Sequence, residues 1–162
     1  MLGLKELFLL PPRLTLAVAE SMTCGRVQSR IGAISGASEF FLGGITVYSL
    51  AQKERHLGVE RALAEPVNSV SATVAEQMAR GACSLFGARI GLATTGYAES
   101  SKQWGIACPQ AWWAIAHDLG DGRMDARSGF LECPSASRDA AQELVAAATL
   151  DALMRYLREV RG

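Results

Sequence analysis

The stretch Leu14-Thr15-Leu16-Ala17-Val18-Ala19-Glu20-Ser21-Met22-Thr23-Cys24-Gly25 decides the fold of this chain. Its first six residues are apolar or β-branched with no polar alternation, which is typical of a strand inside a sheet that has helices on both faces. The small and polar residues that follow mark the end of this strand. We predict that a helix runs from Thr23 to about Ile34, so that the stretch forms a central strand, a short turn and a helix.

The rest of the chain repeats this alternation of strands and helices. We predict further strands at residues 43–49, 90–95, 111–116 and about 127–132, and further helices at residues 4–10, 51–57, 71–86 and from Ser135 or Ser137 to about Val160. The turn Gly120-Asp121-Gly122 joins the last two strands at hairpin spacing, so at least one strand is antiparallel. The chain is therefore predicted to be one α/β domain over residues 1–162. It would form a three-layer α/β/α sandwich with a mixed, mostly parallel sheet of about five strands.

Two of the predicted helices carry apolar stripes at helical spacing, which we expect to face the core. The first stripe consists of Val74, Ala75, Met78, Ala79, Ala82, Leu85 and Phe86, and the second of Leu144, Val145, Ala148, Leu153, Met154 and Leu157.

Composition excludes several classes of protein. Of 162 residues, 49% are apolar and 20% charged, as in folded domains, and 16 basic residues balance 16 acidic ones. A chain without a basic field is not expected to bind nucleic acid, and no apolar run is long enough to cross a membrane. The four cysteines show neither CxxC spacing nor a nearby histidine pair, so we expect no metal. Without a recognisable leader sequence, the protein is expected to be cytoplasmic with reduced thiols.

Three loops follow the carboxyl ends of predicted strands, where ligands of open α/β sheets bind: residues 19–25, 48–53 and 94–100. In the first loop, unpaired N–H groups at a helix start would hold a phosphate or stabilise an oxyanion, which makes Ser21 a candidate nucleophile. Alternatively, Ser21 and Thr23 only cap the helix. The local sequence leaves both interpretations open.

A serine nucleophile needs a base, and the candidates are few. Neither His56 nor His117 has an evident carboxylate to orient it, so a Ser-His-Asp triad is not expected. Lys53 is a better candidate if burial lowers its pKa, and Tyr48 would relay a proton or orient the ligand. The alternative for Lys53 is an ordinary solvated lysine on a helix.

Taken together, these segments resemble the C-terminal domain family of CinA, whose active members are nicotinamide-nucleotide amidohydrolases. The resemblance covers almost the whole chain and rests on an ordered set of motifs. These are Ala19-Glu20-Ser21-Met22-Thr23-Cys24-Gly25, Gly36-Ala37-Ser38, Gly43-Gly44 followed by Tyr48-Ser49 and Lys53, then Leu57-Gly58-Val59 and Val70-Ser71.

The resemblance implies Ser21 as the nucleophile and Tyr48 with Lys53 as its activating partners. It implies hydrolysis of nicotinamide mononucleotide to nicotinic acid mononucleotide and ammonia, a reaction of NAD recycling, with no cofactor and no metal. Its partner would be this small nucleotide substrate, bound by Glu20, Thr23, Gly25, Gly44, Thr95, Gly96 and Arg138. Arg138 would meet the phosphate bidentately.

The chain departs from the family pattern at Leu50, Cys24, Glu99 and the segment Ala107 to Trp113. Glu99 places a negative charge where a phosphate would approach. These departures keep a second hypothesis open, in which the chain is a catalytically inactive paralogue that acts as a nucleotide-binding or protein-interaction module. We also expect a stand-alone domain that forms a homo-oligomer, with the apolar N-terminal helix around residues 7–10 covering a neighbouring subunit.

Overall fold

The computed structural model describes residues 2–162 and contains one five-stranded sheet. Its strands are β1 (Leu16–Glu20), β2 (Phe41–Thr46), β3 (Ile90–Tyr97), β4 (Gln110–Gly120) and β5 (Arg123–Glu132), in the spatial order β2-β1-β3-β4-β5. β1 pairs in parallel with β2 and β3, and β4 is antiparallel to both β3 and β5. Since four strands share one direction and β4 alone opposes them, the predicted mixed, mostly parallel sheet is confirmed.

The helices are α1 (Leu4–Leu9), α2 (Arg26–Gly32), α3 (Leu50–Leu57), α4 (Arg61–Ala64), α5 (Ala72–Phe86) and α6 (Arg138–Arg161). Serine side chains cap the two long helices, as predicted: Ser71 accepts a hydrogen bond from the Val74 N–H and Ser137 from the Ala140 N–H. No helix in residues 2–162 is long and apolar enough to cross a membrane.

β1 is buried along its whole length because its side chains alternate between two helical layers. Leu16 and Val18 lie in the core that α1, α2 and α6 cover. Ala17 and Ala19 face the layer formed by α3 and α5, where small side chains predominate and let α5 approach the sheet closely. The structure thus has the predicted three-layer α/β/α arrangement, with Ser21 just beyond the end of its central strand.

The first turn after β1 differs from the prediction. Cys24 and Gly25 adopt left-handed backbone conformations, with φ of 50° and 94°, so α2 begins at Arg26 and not at Thr23. The second strand also ends earlier than predicted, at Thr46, because Ser49 caps α3 by accepting a hydrogen bond from the Gln52 N–H.

Several predicted burial patterns are wrong in detail. Leu85 and Leu144 are 46% and 52% exposed because they lie outside the buried stripes of their helices, and α6 buries the polar Gln142 and Thr149 instead. Leu7 and Phe8 are buried within this chain, and Phe8 stacks on Phe40 with ring centroids 5.0 Å apart. Because these two side chains pack against their own core, they are not free to cover a neighbouring subunit. Oligomerisation stays a prediction.

Candidate active site

Ser21 and Lys53 meet just beyond the carboxyl end of β1. Lys53 lies on α3, is 1% exposed, and places its Nζ 2.9 Å from the Ser21 Oγ. The same Nζ donates to the main-chain carbonyls of Val47, at 2.9 Å, and Tyr48, at 3.2 Å. The chain that connects β2 to α3 therefore folds its carbonyls around the amine and directs it toward the serine.

Burial lowers the pKa of Lys53 from 10.5 to about 8. The interpretation of Lys53 as a solvated helix lysine is therefore wrong. Its hydrogen-bonded neighbours also fix the direction of the Ser21 contact. A protonated amine donates to all three oxygens, whereas a neutral amine has two N–H groups and one lone pair. Because the Val47 and Tyr48 carbonyls can only accept, the neutral amine turns its lone pair to the Ser21 hydroxyl hydrogen.

Glu20 holds the turn that follows Ser21. Its fully buried carboxylate accepts hydrogen bonds from the Thr23 hydroxyl and from the N–H groups of Gly25, Val27 and Gln28, at distances of 2.5–3.1 Å. The Gln28 side-chain amide adds a fifth bond, at 3.1 Å. With both oxygens engaged in this way, Glu20 stabilises the start of α2 and has no free face for a ligand.

This arrangement corrects the expectation that the helix start supplies free N–H donors, because Glu20 occupies those of Gly25, Val27 and Gln28. Among residues 2–162, the N–H groups of Met22 and Thr23 donate no hydrogen bond. They belong to the two residues directly after Ser21. Unpaired N–H groups directly after a nucleophilic serine are the type of donor that forms an oxyanion hole.

Two further contacts fix this pair of donors. The Gln142 side chain, on α6, donates to the Met22 carbonyl at 2.9 Å. The Thr94 hydroxyl, at the end of β3, lies 2.7 Å from the Thr23 hydroxyl, which itself donates to Glu20. The hydrogen bonds thus run from Thr94 through Thr23 to the buried carboxylate, and they hold the turn from both sides.

Tyr48, Arg138 and Glu99 form an exposed cluster, which we call the entrance, and the Tyr48 backbone joins it to the buried Ser21–Lys53 pair, which we call the pocket. The Tyr48 side chain is 56% exposed, and its hydroxyl accepts a 2.7 Å hydrogen bond from the Arg138 guanidinium. The other side of the same guanidinium pairs with Glu99 at 3.1 Å. Within residues 2–162 the Tyr48 hydroxyl makes no hydrogen bond with Ser21 or Lys53, and its main-chain carbonyl is what reaches the lysine.

The remaining predicted binding residues make contacts within the chain. The Thr95 hydroxyl donates to the Ser69 carbonyl at 2.7 Å. A Cβ at Gly44 would lie 2.4 Å from the Gln28 side chain, and one at Gly96 would lie 2.4 Å from the Gln110 carbonyl. Both glycines are therefore explained by close packing, of α2 on β2 and of β4 on β3 respectively.

Sequence reasoning missed Gln28 and Gln142 as parts of the site. Gln142 carried a signal, since a polar residue on the inner face of a long helix needs a hydrogen-bond partner. Gln28 carried none, because its role depends on how α2 is oriented toward Glu20. The histidines lie elsewhere: His117 contacts the Tyr156 hydroxyl and His56 contacts Gln52. Residues 2–162 contain no cluster of three side chains placed to bind a metal ion.

Comparison with known proteins agrees with this architecture. The family model described as the CinA C-terminal domain matches residues 7–157. A CinA-like protein of Chlorobium limicola is 37% identical over 154 residues, which cover 92% of this chain and 35% of the relative. One of Chlorobaculum tepidum is 47% identical over 121 residues, covering 72% of this chain and 28% of the relative. The chain thus spans about a third, or less, of the length of these curated relatives.

Solved structures of CinA-type proteins share this fold. The competence-damaged protein (CinA) superfamily protein of Escherichia coli superposes with a TM-score of 0.79 at 26% identity, covering 88% of this chain and 80% of the other. A competence or damage-inducible protein of Enterobacter asburiae gives a TM-score of 0.76 at 27% identity, covering 89% and 87%.

Proposed function

The chain belongs to the CinA C-terminal domain family, and on this premise we propose that it is an amidohydrolase. In this proposal it hydrolyses the carboxamide of nicotinamide mononucleotide and releases nicotinic acid mononucleotide and ammonia. Ser21 is the nucleophile and Lys53 is the general base.

The observation that carries the proposal is the buried hydrogen bond between Lys53 and Ser21. A lysine in water is protonated at neutral pH and cannot accept a proton. With its pKa at about 8, Lys53 is neutral in a useful fraction of molecules, and its two carbonyl partners leave the lone pair facing Ser21. Such an amine removes the serine proton without a histidine.

The reaction then follows the usual course of acyl transfer. The Ser21 Oγ attacks the amide carbon as its proton passes to Lys53, and the carbonyl oxygen becomes an oxyanion that the Met22 and Thr23 N–H groups stabilise. Lys53 returns the proton to the leaving nitrogen, and the C–N bond breaks. Ammonia leaves, and the acyl group stays bound to Ser21 as an ester. Lys53 next takes a proton from water as the water oxygen attacks the ester. It then returns this proton to the Ser21 Oγ as the bond from the acyl carbon to Oγ breaks, which releases the carboxylic acid and restores the serine.

Tyr48 contributes to this mechanism through two different atoms. Its main-chain carbonyl holds Lys53, and its hydroxyl holds Arg138 at the entrance. We therefore assign substrate positioning to the Tyr48 hydroxyl and proton transfer to the Ser21–Lys53 pair.

The test is ammonia release from nicotinamide mononucleotide by the purified protein, with Ser21→Ala beside it. We expect release by the wild type and a loss of at least about 10³-fold in the variant, because no other group replaces the nucleophile. Ser29→Ala, an exposed serine on α2, is the matched control and should keep full activity. Ammonia release that persists in Ser21→Ala would exclude this mechanism.

One observation weighs against a phosphate-bearing substrate and keeps the second candidate function, a binding module without catalysis, as an alternative to test. Arg138, the residue expected to meet a phosphate, already has a carboxylate partner in Glu99. If no nucleotide amide yields ammonia while a nucleotide binds measurably, the binding module is supported and the amidohydrolase is not.

A further inference from the structure

The entrance to the pocket is almost charge-neutral, and this limits what it binds. Arg138 projects from the first turn of α6 and pairs with Glu99. Arg26, which faces the same end of α6, pairs with Asp139 at 2.6 Å and with Glu143 at 2.9 Å. Each arginine that contacts the start of α6 is therefore already matched by at least one carboxylate.

A phosphate at this entrance would meet two obstacles. It carries a charge of nearly −2 at neutral pH, and at Arg138 it competes with the Glu99 carboxylate for the guanidinium. That carboxylate remains on the neighbouring loop and repels the phosphate. A ligand without a phosphate meets neither obstacle, and it can still donate or accept hydrogen bonds at the Tyr48 hydroxyl.

Tyr48 connects the entrance to the Ser21–Lys53 pair, so the charges at the entrance affect which substrates bind. Tyr48 contacts Lys53 with its carbonyl and Arg138 with its hydroxyl. Because Tyr48 contacts both Lys53 and Arg138, we place the far end of a substrate whose amide lies at Ser21 near Arg138 and Glu99. The groups at the far end of the substrate are the ones that these two side chains select.

We infer that Glu99 excludes phosphate from Arg138, so that the preferred substrates of this site are carboxamides without a phosphate, such as a nucleoside carboxamide. This inference rests on the proposed function, because it names the substrate class of the same site. It assigns Glu99 as a residue that determines specificity.

The experiment compares two probes that share one carboxamide ring: nicotinamide mononucleotide, and nicotinamide riboside, which lacks the phosphate. Binding is measured first, in the Ser21→Ala background, so that the result does not depend on turnover. We expect the riboside to bind at least as tightly as the mononucleotide. Adding Glu99→Gln should tighten mononucleotide binding by about tenfold and leave riboside binding unchanged.

Glu159→Gln is the matched control, since it breaks an exposed pair with Arg127 between α6 and β5. It should change neither affinity. A mononucleotide that binds more tightly than the riboside in the presence of Glu99 would overturn the inference, and so would failure of both probes to bind. The inference would also fail if the ratio of mononucleotide to riboside affinity stayed the same after Glu99→Gln.

Hydrolysis by the wild type separates this inference from the proposed function. If the riboside binds with the expected preference but neither probe releases ammonia, the amidohydrolase is excluded and the inference about phosphate stands. If both release ammonia and kcat/KM favours the mononucleotide, the amidohydrolase stands and the inference fails.

Discussion

The pocket around Ser21 and Lys53 and the entrance formed by Tyr48, Arg138 and Glu99 are neighbours with opposite physical properties. Lys53 is 1% exposed, whereas Tyr48 is 56% exposed. In the pocket, burial lowers the pKa of the Lys53 amine. At the entrance, side chains pair in contact with water, where an ion pair contributes little and exchanges readily.

This difference teaches which part of the site tolerates sequence change. The pocket depends on Ser21 and Lys53, on main-chain carbonyls that no substitution removes, and on buried side chains such as Glu20 that hold the turn. The entrance depends on side chains alone, and Glu99, one of the departures from the family pattern, lies there. On the proposed function, substrate preference can therefore change while the Ser21–Lys53 pair stays the same.

Among these variants, replacement of the buried Lys53 should lower the rate of ammonia release most. In Lys53→Met, ammonia release should fall by about 10³-fold, because the general base is lost while a side chain of similar length still fills the space. Steady-state kinetics measures this loss. Lys102→Met removes an exposed lysine and should leave the rate unchanged. Equal rates in wild type and Lys53→Met would show that the pocket is not the reaction centre.

Stability should depend on pH through the same amine. The folded pKa of about 8 lies below the ordinary 10.5, so between these values the unfolded chain binds more protons and stability rises with pH. The whole change amounts to roughly 3 kcal/mol at 1.36 kcal/mol per pKa unit. Urea unfolding below and above this window, with Lys53→Met as the reference that lacks the group, measures it. A difference between the two proteins that is flat with pH would mean that the lysine is solvated.

Glu20→Gln tests how far the pocket depends on its buried carboxylate. The amide replaces one accepting oxygen with an NH₂ group that faces N–H donors, so unfolding free energy should fall by roughly 2 kcal/mol. The turnover number should fall with it, because the Met22 and Thr23 donors lose their support. Urea unfolding and kcat are the measurements, and Glu6→Gln on the surface of α1 is the control. An unchanged stability would contradict the role assigned to Glu20.

Tyr48→Phe should have the smallest effect, and it sharpens the contrast between the two regions. The variant loses one exposed hydrogen bond to Arg138 and keeps the carbonyl that holds Lys53. We expect kcat to change by less than about threefold and any larger change to appear in KM. A fall in kcat of a hundredfold or more would instead place the Tyr48 hydroxyl in proton transfer.

The sequence was informative wherever a local pattern determines structure. The uninterrupted apolar run before Glu20 predicted a central strand, and Ser71 predicted a helix cap, because each depends on residues close in sequence. The start of α2 was wrong by three residues because a cysteine rarely adopts the left-handed conformation that Cys24 has. The burial of Lys53 could not be predicted from the sequence either, because it depends on main-chain carbonyls, which every residue type carries.

The long reach of α6 has a consequence for the order in which the site is assembled. Ser21 and Lys53 leave the ribosome early, but Gln142, which fixes the carbonyl of Met22, and Arg138 lie on the last helix of the fold. At ordinary rates of translation, roughly ten seconds separate the synthesis of Lys53 from that of Arg138. During this interval a nascent chain already carries Ser21 and Lys53, but the turn beside them lacks its contact with Gln142. On the proposed function, the site is therefore complete only after α6 has docked on the sheet.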